Sequence, residues 1–196
     1  RRQRQMCIRD SSYGVGTGVM GVPNDDSRWG NCYGNIRATN HMFERAVSSY
    51  TGNLADIKKE LAEGHFFRAY NYFYLLKFFG GVPVVTKVLD VTSPELYGKR
   101  NSRYEVVNLI LSDLDEAIAG LPLEQNITSA DKGKISKQAA QAFKARVLLY
   151  EATWRKYNGT STDFEGSAGP ASDQVNAFLE ESVQLSETVM GDACLL

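Results

Sequence analysis

The chain has 196 residues, 43% of them hydrophobic and 23% charged, with a formal net charge of -1. That length suits one domain, or part of a larger one, burying close to ~70% of its unfolded surface. The near-neutral charge gives no footing for nucleic acid or anionic lipid as a partner. Arg1, Arg2, Arg4 and Arg9 lead into no apolar run, so no signal peptide is read, and Cys7, Cys32 and Cys194 lack metal-ligand spacing.

Residues 1–28 read as an irregular segment. Gly16, Gly18 and Gly21 match G-x-G-x-x-G. A phosphate-binding loop, however, needs a strand before it and a helix after it. Arg9-Asp10-Ser11-Ser12 and Pro23-Asn24-Asp25-Asp26 supply neither, so the stretch is read as a loop.

From Trp29 onward the pattern turns helical. Trp29, Tyr33, Ile36, Asn40, Phe43 and Val47 recur at spacings of three and four, predicting a first helix to about Ser48. The second starts near Asn53 and runs to Phe79, about 27 residues and roughly 40 Å. Its aromatic residues, Phe66 to Phe79, cover nearly the whole circumference, so packing on several sides is expected. Gly80-Gly81-Val82-Pro83 stops it, and an extended connection follows to Tyr97.

Ser102-x-x-Glu105 is a capping box opening a third helix, with Gly120 and Pro122 read as its end. A polar loop from Glu124 to Lys134 precedes a broadly apolar fourth helix from Ser136 to about Tyr157. A fifth runs from about Ser172 to Met190 on Val175, Phe178, Leu179, Val183 and Val189. Gly64, Ala69, Ala139, Ala142 and Ala145 are expected where helices approach closely. The resulting class is all-α: stacked helical hairpins of tetratricopeptide type, an α-α superhelix over residues 29–196. The fifth helix has no mate within the chain, so a partial domain is expected, incomplete at the C-terminus.

Four ordered blocks carry a resemblance. They are Tyr33-x-x-Ile36-x-x-x-Asn40; Phe66-Phe67-Arg68-Ala69-x-x-Tyr72 with Gly80-Gly81-Val82-Pro83; Ile110-x-x-Asp113-Leu114-x-x-Ala117; and Gly133-Lys134-x-Ser136-Lys137 with Ala145-Arg146-Val147-x-Leu149-Tyr150. In this the chain resembles the SusD/RagB family, over roughly residues 29–196. The resemblance implies a surface glycan- or nutrient-binding lipoprotein of the Bacteroidetes outer membrane. Such a protein sits as a lid on a SusC-like TonB-dependent transporter, helices towards that partner, and passes it oligosaccharide. Gln5-Met6-Cys7 forms no lipobox, so the lipid anchor through which the family associates with membrane is expected to be absent from this chain.

Catalysis finds little support. His41 and His65 fall on different helices without a third ligand nearby, and the carboxylates Asp25-Asp26 and Asp113-Asp115-Glu116 read as solvated, Asp113 excepted because it recurs in the resembling block. No cofactor and no metal are expected. Arg68, inside the most aromatic helix, needs a carboxylate or carbonyls, and Asp113 is one possible mate in an internal ion pair. Sugar binding favours an aromatic face flanked by hydrogen-bonding groups. The densest such set outside the buried helices lies around Asp26, Arg28, Trp29 and Asn31, the candidate glycan-binding residues. Trp29 equally fits a staple packing the first helix. Peptide capture, or a helical scaffold binding only protein, stand as alternatives.

Overall fold

The computed structural model describes residues 26–159 and 174–193. The glycine-rich stretch around Gly16, and the cysteines Cys7 and Cys194, lie outside the described residues. What is described is all-α, a tetratricopeptide-like stack of five helices with four short 3-10 turns and no strand among the described residues.

Helix α1 (Ser27–Ser48) starts two residues ahead of Trp29 because the Asp26 side chain caps it, accepting the Arg28 N–H at 2.9 Å. One face is buried, through Cys32, Ile36, Asn40 and Ala46. The second helix is shorter than its pattern suggests. Asn53 caps a 3-10 turn, Leu54–Ile57, by accepting the Ala55 N–H at 3.0 Å, and α2 (Lys58–Phe79) begins only after it. At 22 residues it is about 33 Å long. It ends at Gly80, whose φ of 69° is open to glycine with little strain and whose N–H returns to the Leu76 carbonyl at 3.0 Å.

The Ser102 and Glu105 side chains cap each other's backbone N–H at the start of α3 (Arg103–Gly120), at 3.2 and 2.7 Å. The helix ends at Gly120, as its sequence predicts, with Leu121 already extended. A Cβ on Gly120 would stand 2.6 Å from the Ala62 Cβ and 3.2 Å from the Lys58 carbonyl. Its missing side chain is what lets α3 lie against the start of α2. Ser136 caps α4 (Lys137–Asn158), and α5 is Val175–Ala193.

Consecutive helices pack on one another, most extensively α2 on α3 and α4 on α5. One hydrophobic core joins them, with Ala69, Tyr72, Leu75, Val107, Ile110, Leu114, Ala140, Val147 and Leu148 at most 1% exposed. Phe143 and Tyr150 of α4 meet Phe66 and Phe73 of α2 at ring distances of 5.4 to 5.5 Å. Gly64, Ala69 and Ala145 are buried, whereas Ala139 and Ala142 face outward and mark no close approach. Nor is α2 covered all round: Phe67, Tyr70 and Phe78 each keep nearly half of their surface exposed.

Polar clamps cross the stack. Lys144 on α4 reaches Asp115 of α3 at 2.7 Å and Glu181 of α5 at 2.5 Å. Glu151, wholly buried, lies between Arg103 and Arg155. Burying a carboxylate is tolerable only with such partners.

Candidate functional site

The connection after α2 is extended, so its backbone groups need partners outside a helix. Side chains from α1, α2 and the segment before α3 supply them. Tyr33 donates to the Pro83 carbonyl at 2.7 Å. Tyr72 both donates to the Val85 carbonyl and accepts the Val85 N–H, at 3.0 and 2.7 Å. Burial pushes its phenol up to about 12, against the opposing hydrogen bond from Val85. Asn40 gives its amide to the carbonyls of Val85 and Lys87 at 3.0 and 3.2 Å. The Asn101 side chain accepts the Val84 N–H, and Arg100 donates to the carbonyls of Gly81 and Phe79.

Behind Asn40 lies a buried charge network. Arg68, 7% exposed, donates from Nε and Nη2 to the two oxygens of Asp113 and from Nη1 to Asn40 at 3.0 Å. His65 Nδ1 stands 2.7 Å from the same carboxylate, and the Phe43 ring lies 4.8 Å from the Arg68 guanidinium. Burial opposes ionisation of Asp113, but the Arg68 and His65 hydrogen bonds outweigh it and hold the carboxyl below its ordinary value. The chain Asp113–Arg68–Asn40–Val85 therefore ties the α2–α3 interface to the connecting segment.

That segment and α1 enclose a groove of about 290 Å³. Trp29, Tyr33, Ile36 and Arg37 form the helical wall; Pro83, Val85, Leu89 and Leu96 form most of the other, with Lys87 and Glu95 beside them. Trp29 is half-buried, tilted on Tyr33 at 5.0 Å and edge-on to Phe79 at 5.2 Å. Lys87 and Glu95 pair at 2.5 Å, and the Lys87 hydrogen bond holds the Glu95 carboxyl below its ordinary value.

Of the four candidates named from the sequence, Trp29 lines the groove. Asp26 and Arg28 hold each other in a fork, with bonds of 2.7 to 3.2 Å, at the start of α1. Arg28 also lies 4.3 Å above the Phe78 ring, and Asn31 is exposed outside the groove lining. Sequence reasoning passed over Arg37, Lys87, Glu95 and Leu96. The signal for Arg37 was its position one turn beyond Tyr33 and two beyond Trp29, on the same helix face. Among the described residues no group of three His, Cys, Asp or Glu is placed to hold a metal.

Residues 22–149 match the model of a family described as "Starch-binding associating with outer membrane". A SusD-like protein of Formosa agariphila is 34% identical over 108 residues, which cover 55% of this chain and 20% of that relative. A crystal structure of a SusD-like protein from Bacteroides fragilis superposes with a TM-score of 0.63 at 32% identity, over 76% of this chain and 29% of that one. A second crystal structure, of a SusD-like carbohydrate binding protein from the same organism, gives 0.57 at 28% identity over 65% and 24%. The chain thus spans between a fifth and a third of the length of each of these proteins.

Proposed function

The chain belongs to the SusD-like family, and from that premise we propose that it captures oligosaccharide without chemistry and serves a transporter in the outer membrane. The observation that carries this reading is the groove with Trp29 at its wall. An indole face stacks on the C–H groups of a pyranose ring, while charged and polar groups beside it address hydroxyls. The groove's volume is at the lower end of small-molecule sites, about the scale of a sugar ring or two.

Binding alone is favoured over hydrolysis. Glycoside cleavage needs two carboxylates flanking the bond. Among the described lining residues Glu95 is the one carboxylate, and Lys87 already holds it ionised. Delivery to a TonB-dependent transporter, and a place on the outer face of the outer membrane, rest on the family. No helix among the described residues is long and apolar enough to cross a membrane.

Calorimetry against a panel of oligosaccharides, with hydrolysis products assayed in the same samples, tests the reading. Saturable binding without cleavage supports it; release of shortened sugars overturns it. A second reading, peptide capture, draws on the apolar wall of Pro83, Val85, Leu89 and Leu96. Binding of peptides with none of sugars would favour that reading.

A further inference from the structure

We infer that the groove is built for an acidic sugar, one carrying an anionic oxygen group on a pyranose ring, with Arg37 as the group that receives the charge. The inference rests on the glycan-binding reading of the same groove and names its ligand class.

Three charged side chains line the groove: Arg37, Lys87 and Glu95. Lys87 and Glu95 neutralise each other at 2.5 Å. Arg37 stands apart from that pair. Its Nη1 donates to the Leu89 carbonyl at 3.1 Å, and among the described residues no carboxylate lies within ion-pair distance of it. One uncompensated positive charge therefore remains in the lining, on an exposed guanidinium.

A guanidinium presents five N–H donors in a rigid plane. The bond to Leu89 uses one and anchors the group to the groove wall, leaving the others for a ligand. Neutral hydroxyls need no such group. Carboxylate and sulfate oxygens match its fork in two-pronged fashion, with charge-assisted bonds roughly twice as strong as neutral ones. Arg37 is two helical turns from Trp29 on the same face of α1, about 12 Å along the axis. A short oligosaccharide stacking one ring on Trp29 then brings the acidic group of a neighbouring ring to Arg37.

Glu95 makes the inference sensitive to sign. It is the negative charge at the same groove, and it quenches Lys87. Losing it should help an anionic ligand and leave a neutral one alone, a pattern that a general loosening of the groove would not produce.

The test is calorimetry at 50 and 300 mM salt with the full chain, with Arg37→Gln, Glu95→Gln and Trp29→Ala. The probes are galacturonate, mannuronate and glucuronoxylan oligomers, a sulfated galactan oligomer, and neutral maltohexaose and laminarihexaose. The expected result is binding of at least one acidic probe, about tenfold weaker in Arg37→Gln, several-fold tighter in Glu95→Gln, and weaker at high salt. Uronates and the sulfated oligomer separate the two sources of negative charge. Neutral probes binding as well as acidic ones, with Trp29→Ala weakening them and Arg37→Gln inert, would overturn the acidic ligand and leave the glycan groove standing. Absence of binding to every probe, or binding indifferent to Trp29→Ala, would overturn both.

Discussion

Arg68 and Asp113 meet across the α2–α3 interface as a two-pronged pair, Nε to Oδ2 at 2.8 Å and Nη2 to Oδ1 at 2.7 Å. The third guanidinium arm goes to Asn40, and Asn40 holds the backbone of the groove wall at Val85 and Lys87. Arg68 thus supports the groove without lining it.

Removing one partner strands a buried charge. Arg68→Met should cost about 3–5 kcal/mol of stability in urea unfolding. The double replacement Arg68→Met with Asp113→Leu should recover much of that loss, because no charge is then left unpaired. A single Arg68→Met costing under about 1 kcal/mol would mean the network is solvated and its burial misjudged.

Asn40, 2% exposed, joins the network to the wall. Asn40→Ala should destabilise by about 1–3 kcal/mol, since the buried Arg68 Nη1 loses its acceptor and the Val85 and Lys87 carbonyls lose a donor. Amide exchange should accelerate selectively around residues 84–89. Uniform acceleration across the whole molecule would point to a global effect and not to a tie on that segment.

Acid should release these clamps in a definite direction. The Asp113 carboxyl is held low in the fold, and Asp131, hydrogen-bonded to Lys134 and Lys59, is held at about 2. In the unfolded chain both take up protons near ~3.9. Their stabilisation is therefore complete above that value and lost as pH falls through the folded-state values. Unfolding midpoints measured between pH 6 and 2 should drop below about pH 4, and less steeply in Asp113→Asn. An equal slope in the variant would remove Asp113 from the account.

Two glycines within helices should respond oppositely to alanine. Gly34, exposed on α1, has no atom within 4 Å of an added Cβ, so Gly34→Ala should stabilise by about 0.5–1 kcal/mol. Gly120→Ala gains the same propensity, but its Cβ meets the Ala62 Cβ and the Lys58 backbone. Helices α2 and α3 must then part, and a net loss of about 1–3 kcal/mol is expected. Thermal melts of the two variants decide it.

What could be read in the chain follows from how far each signal reaches. The capping of α3 by Ser102 and Glu105 is local chemistry over four residues, and the structure has both bonds. The helix stop at Gly80 is local as well. The start of α2 was misjudged because Asn53 looks the same whether it caps a 3-10 turn or an α-helix. The end of α3 at Gly120 is legible too, but its second role, room for Ala62, depends on a residue 58 positions away.

The groove was harder still. Its two walls, residues 29–37 and 83–96, are brought together by tertiary contacts, among them the hydrogen bond from Tyr33 to Pro83. Arg37, Lys87 and Glu95 are, in sequence, three ordinary surface charges. Asp26 and Arg28 have the composition of a sugar site, yet their short spacing lets them bind each other in a fork. No periodicity distinguishes those two outcomes.

Trp29 gives the most direct test of a sugar bound in the groove. The protein has two tryptophans, so Trp154→Phe leaves Trp29 as the sole indole emitter. Titrating that variant with an oligosaccharide that binds by calorimetry should shift Trp29 emission saturably, with a midpoint matching the calorimetric one. Calorimetric binding with Trp29 emission unchanged would contradict the account and place the sugar elsewhere.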